Sequence, residues 1–428
     1  MIHSDTTPRL APRLGPRLAQ LLLLTAAVLP SPGCGDAQAS GGPRPNVLVI
    51  TLDGLRADCL GAYGAEPSST PSMDQLAERS VRYAYALTPA PWAAPAYGSL
   101  WTGHYPSELG FTNLKRPLHG QTETLAESMG AAGWSTAAIT SHRFSDQSTG
   151  LDQGFSEWIE VEQEPSASYA SGAAVTAAAL EQLDAFGSVP FLMWVQYSDL
   201  RLPFELPLPV AAEYGGPIRA GMERAELLRL APELDEQDAA RLLELYELEL
   251  KRLDGYVGLL LERIESLASK HGTVVVLTAP HGSELLERGG VGDAGTLHDE
   301  IVRVPLLISV PGASTGVIHD PVSLVDVAPT LRACIKLQKD SAATGLCVLP
   351  GFAAPERPIF SETSRALNLR AVVDGDWKLI MDQRHETQVL FDVFNDPDEE
   401  KNAADTHGQV RDRLERELYA FEARVSDD

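Results

Sequence analysis

Short apolar runs alternate with longer segments of helical periodicity along the middle of the chain. Residues 46–52, 191–197 and 273–278 are almost continuously hydrophobic, as expected of strands that are buried on both faces of a parallel sheet. Two further strands are predicted at residues 135–139 and 305–310. Four helices are predicted at residues 72–79, 122–132, 173–186 and 236–266. The repeated exchange of helix and strand indicates an α/β fold.

The pattern changes near residue 365, where the hydrophobic runs become shorter. Three strands are predicted there, at residues 369–373, 377–381 and 389–394, and a charged final helix at residues 409–424. We therefore divide the chain into a main α/β domain over residues 45–365 and a small α+β subdomain over residues 366–428. Residues 202–235, rich first in proline and then in acidic residues, are long enough to form either a surface lid or a functional loop.

The first residues have the composition of a targeting segment. Three arginines precede an apolar run at residues 21–29, and the tetrapeptide Ser-Pro-Gly-Cys follows it and ends at Cys34. This order predicts a removable signal peptide over residues 1–33 and a linker over residues 34–44, because the run is too short for a spanning helix. Cys34 resembles the lipid-acceptor cysteine of bacterial lipoproteins, but the preceding serine and proline depart from that pattern. We expect export to the periplasm or cell envelope, with lipid attachment as an open alternative.

The chain is acidic, with 34 basic and 59 acidic residues and a net charge of −25. This excess argues against a nucleic-acid partner, because neutralising phosphates requires clustered Lys and Arg, and the sequence has no basic stripe. An anionic ligand would need a local cationic pocket or a bound cation.

Three cysteines follow Cys34, and their spacing is not that of a zinc site. Cys59 lies among apolar residues and is expected to be buried. Cys334 and Cys347 are candidates for a disulfide in an oxidising compartment.

Asp53 comes directly after the first predicted strand. Ligands collect at the carboxyl ends of strands in open α/β sheets, which makes Asp53 a candidate metal or substrate contact. A turn or helix-cap residue is the alternative, since aspartate is common in both places.

Long stretches of the chain carry the motifs of one family. They include PNVLVITLDGLRADCLGAYG at residues 45–64, VVVLTAPHGSELLERGG at 274–290 and LHDEIVRVPLLISVPG at 297–312. The sequence resembles the sulfatase family of the alkaline-phosphatase-like superfamily. That resemblance implies a mixed, mainly parallel central sheet flanked by helices, and hydrolysis of sulfate esters. It also implies a divalent cation, usually calcium, beside a Cys or Ser that is oxidised to formylglycine.

The family's nucleophile motif is Cys or Ser, any residue, Pro, a small residue and Arg, and it aligns with AAPAY, which begins at Ala93. The methyl group of Ala93 cannot be oxidised to an aldehyde hydrate, so formylglycine is excluded. Tyr97 stands where the resemblance implies the guanidinium that orients this hydrate. The nearest hydroxyls are several residues away, whereas catalysis tolerates a displacement of only about 1 Å. They belong to Thr88, Ser99 and Thr102.

The family's second metal motif is Asp, then His or Asn, then Gly, and here it reads Pro280, His281, Gly282. Gly54 follows Asp53 where some branches of the family carry a second Asp. The resemblance therefore leaves Asp53 and His281 as candidate metal ligands. They are a poor set for calcium, which takes six to eight oxygen ligands, so a divalent cofactor stays open.

Two further family positions have changed. A histidine expected after the strand at residues 191–197 aligns with Arg201, and one expected before Gly295 aligns with Ala294. Arg201 can still bind an anion through its charge and paired hydrogen bonds. Lys378 is a second candidate substrate contact, with surface exposure as the alternative.

The remaining charged residues near these motifs are expected to belong to the structural frame. Arg56 and Asp58 are expected to pair with each other. Ser283, Glu284 and Glu287 are expected to lie on a solvated helix face rather than to rebuild a cation site.

These changes lead to the hypothesis of a pseudoenzyme that keeps the sulfatase fold and has lost ester hydrolysis. Its former cleft would bind an anionic small molecule, a sulfated glycan or a partner protein. One alternative is an active, metal-dependent sulfate or phosphate ester hydrolase in which metal-bound water replaces the nucleophile. Another is a structural envelope lipoprotein.

Overall fold

Strands and helices alternate through most of the chain. In the computed structural model the strands are β1 (Asn46–Leu52), β2 (Val81–Tyr83), β3 (Ala86–Leu87), β4 (Ser135–Thr140), β5 (Glu157–Glu160), β6 (Phe191–Tyr197), β7 (Thr273–Thr278), β8 (Glu284–Leu285), β9 (Val291–Gly292), β10 (Arg303–Val304), β11 (Leu306–Ser309), β12 (Gly316–Ile318), β13 (Val322–Ser323), β14 (Ile359–Thr363), β15 (Leu369–Asp374), β16 (Trp377–Asp382) and β17 (Thr387–Asp392). The helices are α1 (Pro71–Glu78), α2 (Ala93–Thr102), α3 (Leu125–Ala131), α4 (Gly172–Phe186), α5 (Arg224–Leu230), α6 (Glu236–Ser266), α7 (Asp299–Val302), α8 (Val327–Cys334) and α9 (Gly408–Ser426).

The structure describes most of the chain from residue 44 onward. The described residues are 44–113, 115–118, 120, 122–141, 147–164, 167–204, 206, 216–267, 271–293, 295–352, 356–364 and 367–426. The expected signal peptide, Cys34 and Ala294 lie outside these ranges, as does the linker apart from residue 44.

The described residues form a central sheet of eight strands in the order β12-β2-β11-β7-β1-β6-β4-β5. β1 runs parallel to β6 and β7, and β4 runs parallel to β5 and β6. β11 runs antiparallel to β7 and to β2. The predicted mixed, mainly parallel sheet is therefore confirmed.

Helices cover the hydrophobic strands because both faces of the sheet must be kept from water. All seven residues of β1 are buried, and α4 packs on β4, β6 and α6. α6 presents a stripe of leucines at helical spacing to the core and begins at Asp235, whose carboxylate accepts the Asp238 N–H (2.9 Å). No helix in the described part of the chain is long and apolar enough to cross a membrane.

The long strands and helices were predictable to within a few residues, whereas the short strands were not. β1, β6, β7 and α6 have the predicted bounds. β2, β3 and β12 are only two or three residues long, and such pieces carry too little periodicity to be recognised. The connection over residues 202–235 contains α5. Its role as a lid or a loop stays a prediction, and part of it lies outside the described ranges.

The C-terminal strands form a separate antiparallel sheet in the order β14-β15-β16-β17 within the described residues. α9 packs on β15 and β16, so the expected small α+β unit is present. β14 was not predicted, and it precedes the expected subdomain boundary at residue 365. That boundary stays a prediction.

A buried ion cluster connects this sheet to α7 of the main domain. Lys378 Nζ on β16 lies 2.7 Å from Asp299 Oδ1 and 2.6 Å from Glu399 Oε1. The Tyr85 hydroxyl donates to Asp299 (2.9 Å), and Glu399 Oε2 accepts the Asp299 backbone N–H (3.1 Å). Although burial raises the pKa of Glu399, the Lys378 charge and a hydrogen bond with His298 lower it to about 2. Ionised Glu399 therefore stabilises the fold at pH values above 4.5, the ordinary pKa of this side chain. This stabilisation is lost as the pH falls towards 2.

Replacing Lys378 should destabilise the protein strongly. Lys378→Met leaves two buried carboxylates without their cation, a change that typically lowers the free energy of unfolding by about 3–5 kcal/mol. The midpoint of urea unfolding measures the effect, and Lys401→Met, at an exposed lysine, is the control. Equal midpoints for Lys378→Met and the wild type would contradict the cluster.

Candidate functional site

The loops after β1 and β7 meet at the carboxyl edge of the central sheet. The Asp53 N–H donates to Tyr197 O at the end of β6 (2.9 Å), and the Gly54 N–H donates to His281 O (3.1 Å). Gly54 has a φ of +85°, and a Cβ there would lie 3.1 Å from Leu200 O. An aspartate at position 54, as in some branches of the family, would therefore be strained in this loop.

Asp53 is buried, with only 1% of its surface exposed, and protein groups surround its carboxylate. The Tyr97 hydroxyl donates a short hydrogen bond to Oδ1. Ser198 Oγ lies 3.5 Å from Oδ2, and Arg201 Nη1 lies 3.7 Å from the same oxygen. A phenol, a hydroxyl and a guanidinium thus lie around the Asp53 carboxylate.

Tyr97 is held for this contact by its own surroundings. Its ring packs edge-on against Trp194, with centroids 4.8 Å apart, and its hydroxyl lies 3.2 Å from Thr51 Oγ1. Burial and the charge of Asp53 raise the pKa of Tyr97 well above its ordinary value. Tyr97 therefore stays protonated and acts as the donor to the carboxylate.

Ala93 is the first residue of α2, and all ten residues of this helix are buried. Tyr97 follows Ala93 by four residues, which places both on one face of the helix. The resemblance implies a nucleophile and an orienting arginine at these two positions, and the spacing would place them side by side. Here the same face presents a methyl group and a phenol.

The neighbouring hydroxyls are engaged elsewhere or lie on another part of the helix. Thr88 Oγ1 donates to Pro280 O (2.6 Å), and Thr102 Oγ1 donates to Gly98 O (2.7 Å). Ser99 follows Ala93 by six residues, so its buried side chain leaves α2 in a different direction.

His281 is buried beside this edge and has a defined tautomer. Its Nδ1 lies 2.7 Å from Gly282 O, and a carbonyl can only accept, so Nδ1 carries the proton. Nε2 is then the atom with the lone pair, and it has no hydrogen-bond partner among the described residues. His281 could therefore donate one nitrogen to a metal.

The residues present do not fit the calcium ion that the family resemblance implies. Asp53 already accepts from Tyr97 and faces Arg201, and the second carboxylate position is Pro280. No group of three or more His, Cys, Asp or Glu side chains suited to a metal occurs in the described ranges. Asp53 and His281 supply far fewer than six oxygen ligands.

The charged residues beside the site differ in part from expectation. The expected pair is confirmed, since Arg56 Nε and Nη2 lie 3.0 Å and 2.7 Å from the two Asp58 oxygens. The expectation of a solvated helix face after His281 is wrong, because Ser283 and Glu284 are buried and only Glu287 is exposed. Glu284 lies in β8 and accepts the backbone N–H groups of Arg288 (3.0 Å) and Gly290 (2.7 Å). A tight turn, rather than a helix, follows it.

Lys378 lies neither in a cleft nor at the surface, because its Nζ is enclosed by Asp299 and Glu399. This burial was not predictable from the sequence, since a lysine is rarely fully buried. Ser198 and Asp293 were also missed. Asp293 Oδ2 lies 4.0 Å from Arg201 Nη2, and only the position of Ser198 directly after β6 hinted at a role.

The three described cysteines are free thiols. Cys59 is buried, as predicted. Cys334 and Cys347 are half-buried, and they do not form the disulfide for which they were candidates.

A cavity of about 810 Å³ opens beside Arg201. Its lining includes the polar residues Thr140, Ser141, Gln163, Ser168 and Tyr169 and the carboxylates of Glu160 and Glu162. Arg201 is thus shared between the buried carboxylate of Asp53 and the wall of this cavity.

A mixed α/β sheet with a polar site at the ends of its central strands, together with a C-terminal antiparallel sheet, is the architecture of alkaline-phosphatase-like hydrolases. The chain belongs to the sulfatase family, whose model, described as "Sulfatase", matches residues 45–336.

Relatives of known name extend this likeness over most of the chain. The chain is 23% identical to the uncharacterized sulfatase YidJ of Escherichia coli K12, over 90% of this chain and 88% of the relative. It is 26% identical to the choline-sulfatase of Rhizobium meliloti, over 85% and 83%. The phosphonate monoester hydrolase of Agrobacterium radiobacter has a similar fold, with a TM-score of 0.73 at 20% identity and coverage of 89% of this chain and 96% of that one.

Removing the Tyr97 hydroxyl should destabilise the protein, because it leaves a buried carboxylate oxygen without its donor. Tyr97→Phe keeps the ring and is expected to lower the free energy of unfolding by about 1–3 kcal/mol. Urea unfolding measures this loss, and Tyr419→Phe, at an exposed tyrosine, is the matched control. A Tyr97→Phe protein as stable as the control would exclude the hydrogen bond to Asp53.

Proposed function

We propose that this sulfatase-family protein has lost sulfatase turnover and keeps its cleft as a binding site. Transfer of a sulfuryl group requires an attacking oxygen, a cation for the equatorial oxygens and a proton donor for the leaving group. The observation that carries the proposal is Ala93 at the start of α2, where a buried methyl group replaces the attacking oxygen. The hydroxyls of Thr88 and Thr102 are engaged with backbone carbonyls, and that of Ser99 leaves α2 in another direction.

The surroundings of Asp53 support the same proposal. Its carboxylate is occupied by Tyr97 and faces Arg201, so a cation for the equatorial oxygens has no obvious place. Restoring the nucleophile alone would therefore be insufficient.

The proposed ligand is a sulfated or other anionic molecule, and its main contact is Arg201 on the wall of the 810 Å³ cavity. Hydroxyls of Thr140 and Ser168 line the same cavity and can donate to sulfate or sugar oxygens. Asp53 and Asp293 both lie within 4.0 Å of the guanidinium and reduce its net attraction for an anion. We therefore expect weak binding that depends on the hydroxyls as well as on charge. Among the relatives, one structure holds D-glucosamine-2-N,6-O-disulfate.

Turnover should be absent under all conditions that support related hydrolases. The purified protein is assayed with an aryl sulfate, a phosphodiester and a phosphonate monoester, with calcium, manganese or zinc present. We expect rates equal to those of Asp53→Ala, because both proteins lack an attacking oxygen.

Ala93→Cys is the matched variant, and it should remain inactive because it does not restore the cation or the guanidinium. Hydrolysis by the wild-type protein that disappears in Asp53→Ala would contradict the proposal and favour the metal-bound-water hydrolase.

Ligand binding is tested by titration with N-acetylglucosamine 6-sulfate and with N-acetylglucosamine. The sulfated sugar should bind more tightly, and Arg201→Gln should weaken it at least about tenfold, the effect of losing one charged hydrogen bond. Arg219→Gln is the control, since Arg219 forms an exposed pair with Glu226. Equal affinities for the two sugars would exclude an anionic ligand at this cavity.

A further inference from the structure

We infer that the guanidinium of Arg201 takes the place of a divalent cation beside Asp53, so that this cleft operates without metal. The inference rests on the proposed non-catalytic cleft and identifies the group that has replaced its metal.

The two carboxylate oxygens of Asp53 face different protein groups. Oδ1 accepts the Tyr97 proton, and Oδ2 lies 3.7 Å from Arg201 Nη1. A divalent cation bound to Asp53 would have to contact one of these oxygens at about 2.0–2.6 Å. It would displace the phenol or lie within a few ångströms of a permanent positive charge, at a place where burial makes that repulsion strong.

The residues after β7 also offer few ligands for a metal. The carbonyl of Pro280 accepts a hydrogen bond from Thr88 (2.6 Å), and the residue offers no carboxylate. His281 contributes a single nitrogen. The Arg201 guanidinium lies 3.7 Å from Asp53 Oδ2 and 4.0 Å from Asp293 Oδ2, so it is the cationic group that offsets the Asp53 charge at this site.

Position 201 follows the end of β6 closely, and Asp53 follows the end of β1, its parallel neighbour. Adjacent parallel strands bring residues just after their carboxyl ends together. A side chain at position 201 therefore reaches Asp53 because of the register of the sheet, and its charge decides whether a cation can also bind there.

The experiment compares the metal response of the wild-type protein with that of Arg201→His, after dialysis against a chelator. Thermal unfolding is followed with and without calcium, manganese or zinc chloride. The wild-type midpoint should move by less than about 1 °C. Arg201→His removes the guanidinium and supplies an imidazole beside Asp53, so its midpoint should rise by at least about 2 °C with zinc or manganese.

Arg201→Lys is the matched control, since it keeps a positive charge and should show no metal response. A folded Arg201→His protein without any metal response would overturn the inference. A second measurement tests the inference even if Arg201→His does not fold: the wild-type protein is loaded with each metal, desalted and subjected to elemental analysis. Stoichiometric metal that is lost in Asp53→Asn would overturn the inference, and substoichiometric metal supports it.

The turnover assay separates this inference from the proposed function. Bound metal without hydrolysis would refute the replacement by Arg201 and leave the non-catalytic cleft intact. Hydrolysis without bound metal would refute the non-catalytic cleft and leave the replacement intact.

Discussion

A single buried carboxylate constrains the whole carboxyl edge of the central sheet. Asp53 follows a strand that is buried along its full length, so its side chain cannot reach water. An unpaired charge in such a place is too costly to persist, and partners must come from the neighbouring elements. α2 supplies Tyr97, and the loop after β6 supplies Ser198 and Arg201. The identities of these partners follow from the need to compensate Asp53.

A second buried charge cluster stabilises the fold away from this edge. Lys378, Asp299 and Glu399 join the C-terminal sheet to the main domain within a hydrogen-bonded network. None of these residues contacts the Asp53 carboxylate. The matches to the family over most of the chain show that the sulfatase fold accommodates Ala93, Tyr97 and Pro280 at their positions.

Much of the fold could be predicted from the sequence, because long hydrophobic strands and amphipathic helices leave clear patterns. The bounds of β1, β6, β7 and α6 follow directly from those patterns. Short strands and buried charges could not be predicted. Burial of Glu284 is possible because backbone N–H groups of a tight turn donate hydrogen bonds to its carboxylate. Burial of Lys378 is possible because the carboxylates of Asp299 and Glu399 lie beside its Nζ. Both depend on contacts between residues far apart in the chain, or on a turn that has no periodicity.

The positions of the candidate site were predictable, whereas their interactions were not. Motif alignment assigns residues 53, 93, 97, 201 and 281 to one cleft, and it predicts changed chemistry at 93, 97 and 201 and retained ligands at 53 and 281. The structure adds that Tyr97 and Arg201 both face Asp53. The family resemblance implies a guanidinium at position 97 and an imidazole at position 201, and this chain carries a phenol and a guanidinium. In this chain the positive charge lies in the loop after β6, beside Asp53, and position 280 carries no carboxylate. Under the inference that Arg201 replaces the metal, the carboxylate of Asp53 still needs a positively charged neighbour, and a cationic side chain on the adjacent strand end supplies it with one substitution.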